Sequence, residues 1–291
     1  AYGTVGTGRA GAFTARADDL TAIHYNPAGL VHARGPFTFL YNHKVSRLDM
    51  SYERRAWDYD AGDWHDFAAS GLKNPISNEA GWFTKGGFMA LASDLGTERF
   101  TIAAGVYGPS SMGTVRYPKD GAQRYQLVER DVLMLYYTLS GAWRVSDSFG
   151  LGVSLQWVDM PLNRYTLMVD GYNDNNYRPF ASDHDLLSTL DVTDRFNFSA
   201  ILGAWWRPWP FLDVGLAGRV IPINVDAQGT LELDPLGDVV KPEQAGVQNW
   251  ALLDCEEGQD PSTCRETQAA QLGITIPPNV RLGVRYRHLQ G

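Results

Sequence analysis

No apolar run in this sequence approaches the roughly 18 residues that a membrane-spanning helix needs. Nor does a basic stretch followed by an apolar core stand near its start, so no signal peptide is legible. The chain begins Ala-Tyr-Gly, as a mature exported protein would. Basic residues are outnumbered, 25 Lys and Arg against 33 Asp and Glu, for a net charge of -8. That balance excludes nucleic acid as the expected partner. The six histidines are scattered, with no HExxH and no pair four residues apart. Ser140, Ser154 and Ser199 lack a GxSxG setting. The pair Asp183 and Asp185 lies in a polar stretch that reads as solvated, and GTGRAG has no strand before it or helix after it. The expectation is a protein that is not an enzyme, with no cofactor and no metal. Cysteine is scarce too. Cys255 and Cys264, in DCEEGQDPSTC, are either a small disulfide loop in an oxidising compartment or two free thiols.

What the chain has in quantity is aromatic residues (12%), glycine (30 residues) and nine tryptophans. This mix favours strands, turns and girdles of large rings. A mean hydropathy of -0.26 fits a membrane barrel, because only alternate strand residues meet lipid. Alternation is plain in FGLGVSLQWV, where Phe149, Leu151, Val153, Leu155 and Trp157 share one face against Gly150, Gly152, Ser154 and Gln156. FLDVGLAGRV sets Leu212, Val214, Leu216 and Val220 against Asp213, Gly215, Ala217 and Arg219. NVRLGVRYRH sets Val280, Leu282, Val284 and Tyr286 against Arg281, Gly283, Arg285 and Arg287. Phe196, Phe198, Ala200 and Leu202 share a face in RFNFSAILGA.

This periodicity predicts about eight strands, over 36–54, 82–94, 97–108, 130–145, 148–169, 194–207, 211–230 and 279–289. Long connections (55–81, 109–129, 170–193, 231–278) alternate with short ones at SDLGTE, VSDS and RPWP. Tight turns on one side and long loops on the other are the arrangement of an outer-membrane barrel. The predicted class is all-β, a transmembrane antiparallel β-barrel. Acids gather in the long loops. The inward faces carry Arg219, Arg281, Arg285 and Arg287, a basic lumen under an acidic exterior.

The first thirty-five residues show no strand alternation. GTGRAGAFTARADDLTAIHYNPAGL places Asp18 and Asp19 ahead of an Asn26-Pro27-Ala28 turn. This stretch resembles the N-terminal plug of the FadL family, outer-membrane transporters of long-chain fatty acids and other hydrophobic compounds. Tyr107-Gly108-Pro109, LSGAWRVSDSFGLGVSLQWV and ITIPPNVRLGVRYR are similar to further family segments. The resemblance implies a 14-stranded barrel plugged from inside by residues 1–35, with residues 36–291 forming its wall. Eight strands fall short of that number, so the chain is expected to be incomplete at its C-terminus. The implied setting is the outer membrane of a Gram-negative bacterium, as a monomer among lipid and lipopolysaccharide.

The resemblance also implies a mechanism without catalysis. Long loops capture a hydrophobic compound, the lumen binds it, and a gap at the kinked third strand releases it sideways. Gly105, Gly108 and Pro109 are the candidates for that kink. Each buried methylene contributes about 0.8 kcal/mol, and a carboxylate would need a basic partner inside. Arg219, Arg285 and Arg164 are the candidate partners, with Trp157 as a further ligand contact. The alternative for the arginines is pairing with acids such as Asp213. The alternative for the whole protein is a non-transporting surface barrel, a receptor, adhesin or structural protein. A soluble lipid-binding barrel fits less well with the apolar stripes and sorted loops.

Overall fold

Strands form wherever apolar residues alternate with small or polar ones. The computed structural model describes residues 3–43, 48–58, 62–74, 87–109, 113–117, 119, 123–170, 185–235 and 266–287. Two short helices, α1 (Thr4–Gly8) and α2 (Ala22–Tyr25), and a 3-10 turn over Pro27–His32 come first. The strands are β1 (Thr38–His43), β2 (Leu48–Asp58), β3 (Asp63–Asn74), β4 (Gly87–Ser93), β5 (Phe100–Tyr107), β6 (Gly113–Arg116) and β7 (Glu129–Ser146). They continue with β8 (Phe149–Asp170), β9 (Asp185–Trp209), β10 (Leu212–Ile221), β11 (Ile223–Pro235), β12 (Glu266–Ile276) and β13 (Asn279–Tyr286).

One antiparallel sheet runs in the order β1-β4-β5-β7-β8-β9-β10-β13. The strand β6 pairs with β7, and β11 lies between β9 and β12. Among the described residues the two ends of this ladder do not meet. A separate hairpin pairs β2 with β3.

The class is as expected, but several expected loops are partly strand. Segment 55–81 holds the end of β2 and all of β3, joined through a turn at Gly62, whose φ of 66° suits glycine. β6 falls within 109–129, β9 begins inside 170–193, and β11 and β12 reach into 231–278. In these stretches apolar alternation is short and set among polar residues, as with Leu272, Ile274 and Ile276 at the end of ETQAAQLGITI, yet their backbones pair. The strand expected over 211–230 is two strands, because Pro222 has no N–H to give to a ladder. Cys255 and Cys264 lie outside the described residues.

The two faces of the main sheet differ. One carries Gly150, Gly152, Ser154, Gln156, Gly203, Gly215 and Ala217 and is covered by residues 3–33, which supply much of the core: Phe13, Leu20, Ile23, Leu30 and Val31 are buried there. The other face is uncovered and apolar. Met89, Ile102, Leu139, Leu151, Leu155, Leu202, Leu216, Val280, Leu282 and Val284 are exposed on it. A soluble protein rarely exposes a contiguous apolar surface of this extent; lipid accounts for it. Rings bound the apolar band. Phe100 stacks on Trp143 at 6.1 Å and Trp209 on Phe211 at 6.1 Å near the short turns. Tyr137 stacks on Trp157 at 4.9 Å at the other edge. From Phe149 to Trp157 the strand matches the 9–11 tilted residues that cross a bilayer. Among the described residues no helix is long and apolar enough to cross a membrane.

Candidate functional site

Residues 3–33 fold as they do because Asn26 joins three pieces of chain. Its side-chain oxygen accepts from Ala28 N–H at 3.1 Å and starts the 3-10 turn, with Pro27 preset at the first position. Its amide nitrogen donates to Thr14 C=O and to Ala204 C=O, each at 3.0 Å. Asn26, Pro27 and Ala28 can lie this close to the wall because Gly203 and Gly152 present no Cβ. A Cβ at Gly203 would overlap the Asn26 side-chain oxygen, and one at Gly152 would overlap Pro27 and Ala28 backbone. Asp19 accepts from Thr21 N–H at 2.8 Å and holds the chain entering α2. Asp18 pairs with Arg16 at 2.8 Å and lies 3.6 Å from Arg285 of β13.

Further wall groups reach the segment. Ser154 donates to Ile23 C=O at 2.8 Å, Arg281 to His24 C=O at 3.0 Å, and Arg144 to Val31 C=O. Ile23 itself packs onto Gly105 of β5.

Two histidines of this segment are held neutral. Burial, then Arg281 and Arg219, lowers the His24 pKa well below its usual 6.5. Burial, then Arg207 and Arg144, pushes His32 down to about 4. Both shifts favour protonation of the detached segment over the docked one. Anchoring is therefore complete above 6.5 and weakens as pH falls from there toward the folded values. The slope is about tenfold per pH unit for each histidine. Amide-exchange protection over residues 20–33 should drop steeply between pH 7.5 and 5. Constant protection would mean that neither ring is desolvated in the docked state.

The predicted arginines separate. Arg164 forms an exposed pair with Asp191 at 2.5 Å. Arg285 lies against Asp18 and, at 3.8 Å, buried Asp213, which also accepts from Arg207 at 2.6 Å. Arg219 differs from both. It is only 6% exposed and lies on the covered face. Its Nη1 donates to Ser199 at 2.9 Å, its guanidinium sits 5.8 Å from the Tyr136 ring, and its Nε has no hydrogen-bond partner. Among the described residues no carboxylate pairs with it. Trp157 is on the uncovered face, its indole N–H donating to Arg195 C=O at 2.9 Å, so it does not meet Arg219.

Beside Arg219 stand polar residues that sequence reasoning did not single out. Gln156 donates to the Tyr107 hydroxyl at 2.6 Å and to Thr138 at 3.3 Å. Tyr107 in turn is 3.4 Å from His24 Nδ1. The small and polar residues alternating on β8 marked this face but not its contents. Above them the inner surface turns apolar, with Val158, Met160, Val192, Ile223 and Val225 all buried in one cluster.

The kink candidates sit at a break. The β5 ladder with β7 ends at Tyr107–Tyr136, and β6 resumes it at Gly113–Val132. Gly108 and Pro109 follow β5, and Gly108 lies against Met134 C=O, where a side chain would collide. On the uncovered face nearby, Val106, Leu139, Leu155, Trp157 and Phe198 line a pocket of about 420 Å³ that reaches Gly105.

A family model described as outer membrane protein transport protein (OMPP1/FadL/TodX) matches residues 1–290. The chain belongs to this FadL family. Its members are transport channels and not enzymes, and they reside in the Gram-negative outer membrane. Among solved structures, a Pseudomonas aeruginosa FadL homologue is 18% identical, with a TM-score of 0.65 over 98% of this chain and 64% of its own. The monoaromatic hydrocarbon channel CymD is 14% identical, with a TM-score of 0.56 over 97% and 64%. The Ralstonia pickettii toluene transporter TbuX is 15% identical, with a TM-score of 0.56 over 91% and 62%. At these identities the likeness is one of fold, and the chain spans less than two thirds of the length of these FadL-family structures. No curated protein matches it.

Proposed function

We propose that this protein is a passive outer-membrane uptake channel for hydrophobic compounds and that its preferred cargo is a long-chain fatty acid. One observation carries the choice of cargo: Arg219 is a buried cation with no carboxylate beside it among the described residues, at the edge of an apolar inner surface. A fatty acid supplies both complements. Its carboxylate pairs with the guanidinium in a charge-assisted bond, and its tail lies against Val158, Met160, Val192 and Val225. Residues 3–33 act as the plug below it. Long loops capture the cargo from outside, and the break at Gly108-Pro109 releases it sideways, past the pocket in front of Gly105.

The second reading is an uncharged aromatic cargo, favoured by the neighbours described as toluene and monoaromatic hydrocarbon channels. Binding of oleate and of methyl oleate to the detergent-purified protein separates the two. The fatty acid reading expects oleate to bind at least tenfold tighter, and Arg219→Gln to remove the difference. Equal affinities in the unaltered protein, with toluene binding, would replace the fatty acid by the hydrocarbon.

A further inference from the structure

The wall has a second discontinuity, on the other side of Arg219. The strand β9 pairs with β10 up to Ala200–Ile221 and with β11 again from Thr193–Gln228. Between these points, residues 194–199 and 222–227 share no ladder pairing among the described residues. β9 keeps its pairing with β8 at Asn197–Val158, Phe198–Trp157 and Ser199–Gln156, and that ladder shifts register just above, between Val158 and Met160 and again between Met160 and Arg164.

The cause is local. From the lower half of the parting downward, Ser199 and Ile201 are buried on the covered face and Phe196 and Phe198 are exposed. Above it, Val192 is buried and Thr193 exposed. β9 therefore changes phase by one residue, as at a β-bulge, while β11 does not. Pro222 removes a donor at the same point, and Pro277-Pro278 interrupts the neighbouring strands β12 and β13 beside it.

Two side chains bracket the parting. Ser199 donates to Ile221 C=O at 2.8 Å at one end, and Asp194 accepts from Asp226 N–H at 2.7 Å at the other. Between them Ile223 and Val225 face the apolar inner cluster, and Phe196 and Phe198 face outward. Asn224 is tied away from the parting by Thr275, which donates to it at 3.2 Å. Arg195 donates to Asp159 at 2.7 Å and Asp226 is exposed, whereas Asn197 is 9% exposed and its amide nitrogen has no hydrogen-bond partner.

We propose that this seam between β9 and β10–β11 is a second lateral opening, which passes an acyl chain between the inner surface and the bilayer and is coupled to head-group binding by Arg219. The inference rests on the fatty acid reading above. The seam begins at the ring belt, where Phe198 pairs with Trp157, and lacks the ladder bonds of the wall below it, so it is the weak line at this edge of the bilayer. Among the seam's polar residues, Ile223 and Val225 on the inner side and Phe196 and Phe198 on the outer side give a hydrocarbon tail apolar contacts. Arg219 donates to the Ser199 hydroxyl, which donates to Ile221 C=O, and donors in such a chain strengthen one another. A carboxylate that draws Arg219 away from Ser199 weakens the bridge at the seam's lower end. Asn197 then offers its free N–H to the carboxylate as the tail moves outward.

The test is photocrosslinking of a diazirine-bearing stearate to the protein in liposomes, mapped by mass spectrometry. Adducts are expected on Ile223 and Val225 from inside and on Phe196 and Phe198 from outside. Ser199→Ala should raise the inner adducts at least threefold, and Arg219→Gln should reduce them by a similar factor. They should persist when Gly108→Trp obstructs the β5–β7 break. Exposed Phe100 reports the background of simple bilayer contact. Covered-face adducts confined to β5 and β7 would overturn the seam and keep the fatty acid reading. No adducts on the covered face, with Phe100 labelled, would overturn both.

Discussion

Gly203→Ala detaches residues 3–33 from the wall. The added Cβ meets the Asn26 side-chain oxygen and Pro27 Cδ, neither of which can withdraw without breaking other contacts. Asn26 would have to leave both Thr14 C=O, which is buried, and Ala204 C=O, which is half-buried. Overpacking costs about 1–3 kcal/mol and each orphaned buried partner about 1–3 kcal/mol. With the one fully buried acceptor counted, the sum is about 2–6 kcal/mol, or roughly 30- to 10⁴-fold more frequent opening of the segment. Amide exchange over residues 12–30 should accelerate by that factor, and Gly152→Ala should do the same, since it faces Pro27 and Ala28. Gly141→Ala is the control, because nothing lies within contact of a Cβ there. Unchanged exchange in both variants would show that the segment is not seated on these glycines.

Arg219→Met has effects of opposite sign on stability and on binding. An unpaired buried guanidinium is unfavourable, and apolar replacement of buried charge is commonly stabilising by about 1–4 kcal/mol. The variant loses the bond to Ser199 and the Tyr136 contact, which offset about 1 kcal/mol of that gain. Its thermal unfolding should therefore shift up or stay level. Affinity for oleate should fall on the order of 10²-fold, since charge-assisted bonds contribute about 1.5–3 kcal/mol. Affinity for methyl oleate should stay. A protein that loses stability and keeps its oleate affinity would make Arg219 a structural residue.

Arg285 shows why position in a strand pattern could not select among the arginines. It occupies the same inward phase as Arg219 and carries the same side chain, yet Asp18 and Asp213 meet it from elements remote in sequence. Trp157 shows the converse. Its place in the apolar stripe of FGLGVSLQWV was legible, and that place puts it on the face away from Arg219. β6 is too short, at four residues, to show alternation, and in β12 the alternation of Leu272, Ile274 and Ile276 covers only the half next to Pro277.

The sequence by itself determined the class, the apolar stripes of β8, β10 and β13, the sorting of short turns and long connections, and the special character of residues 1–35. Each follows from side-chain type at a fixed local period, and the Asn-Pro-Ala turn carries its own local geometry. Tertiary structure alone decided which arginine keeps an acid and which stands without one. It also brought Gly152 and Gly203 under Asn26-Pro27-Ala28, and it parted β9 from its neighbour beside Pro222. These outcomes depend on register between strands far apart in the chain. Bulges shift that register by one residue, and where polar residues occupy the inward positions, as Asn197 and Ser199 do in β9, no apolar alternation is there to show the shift.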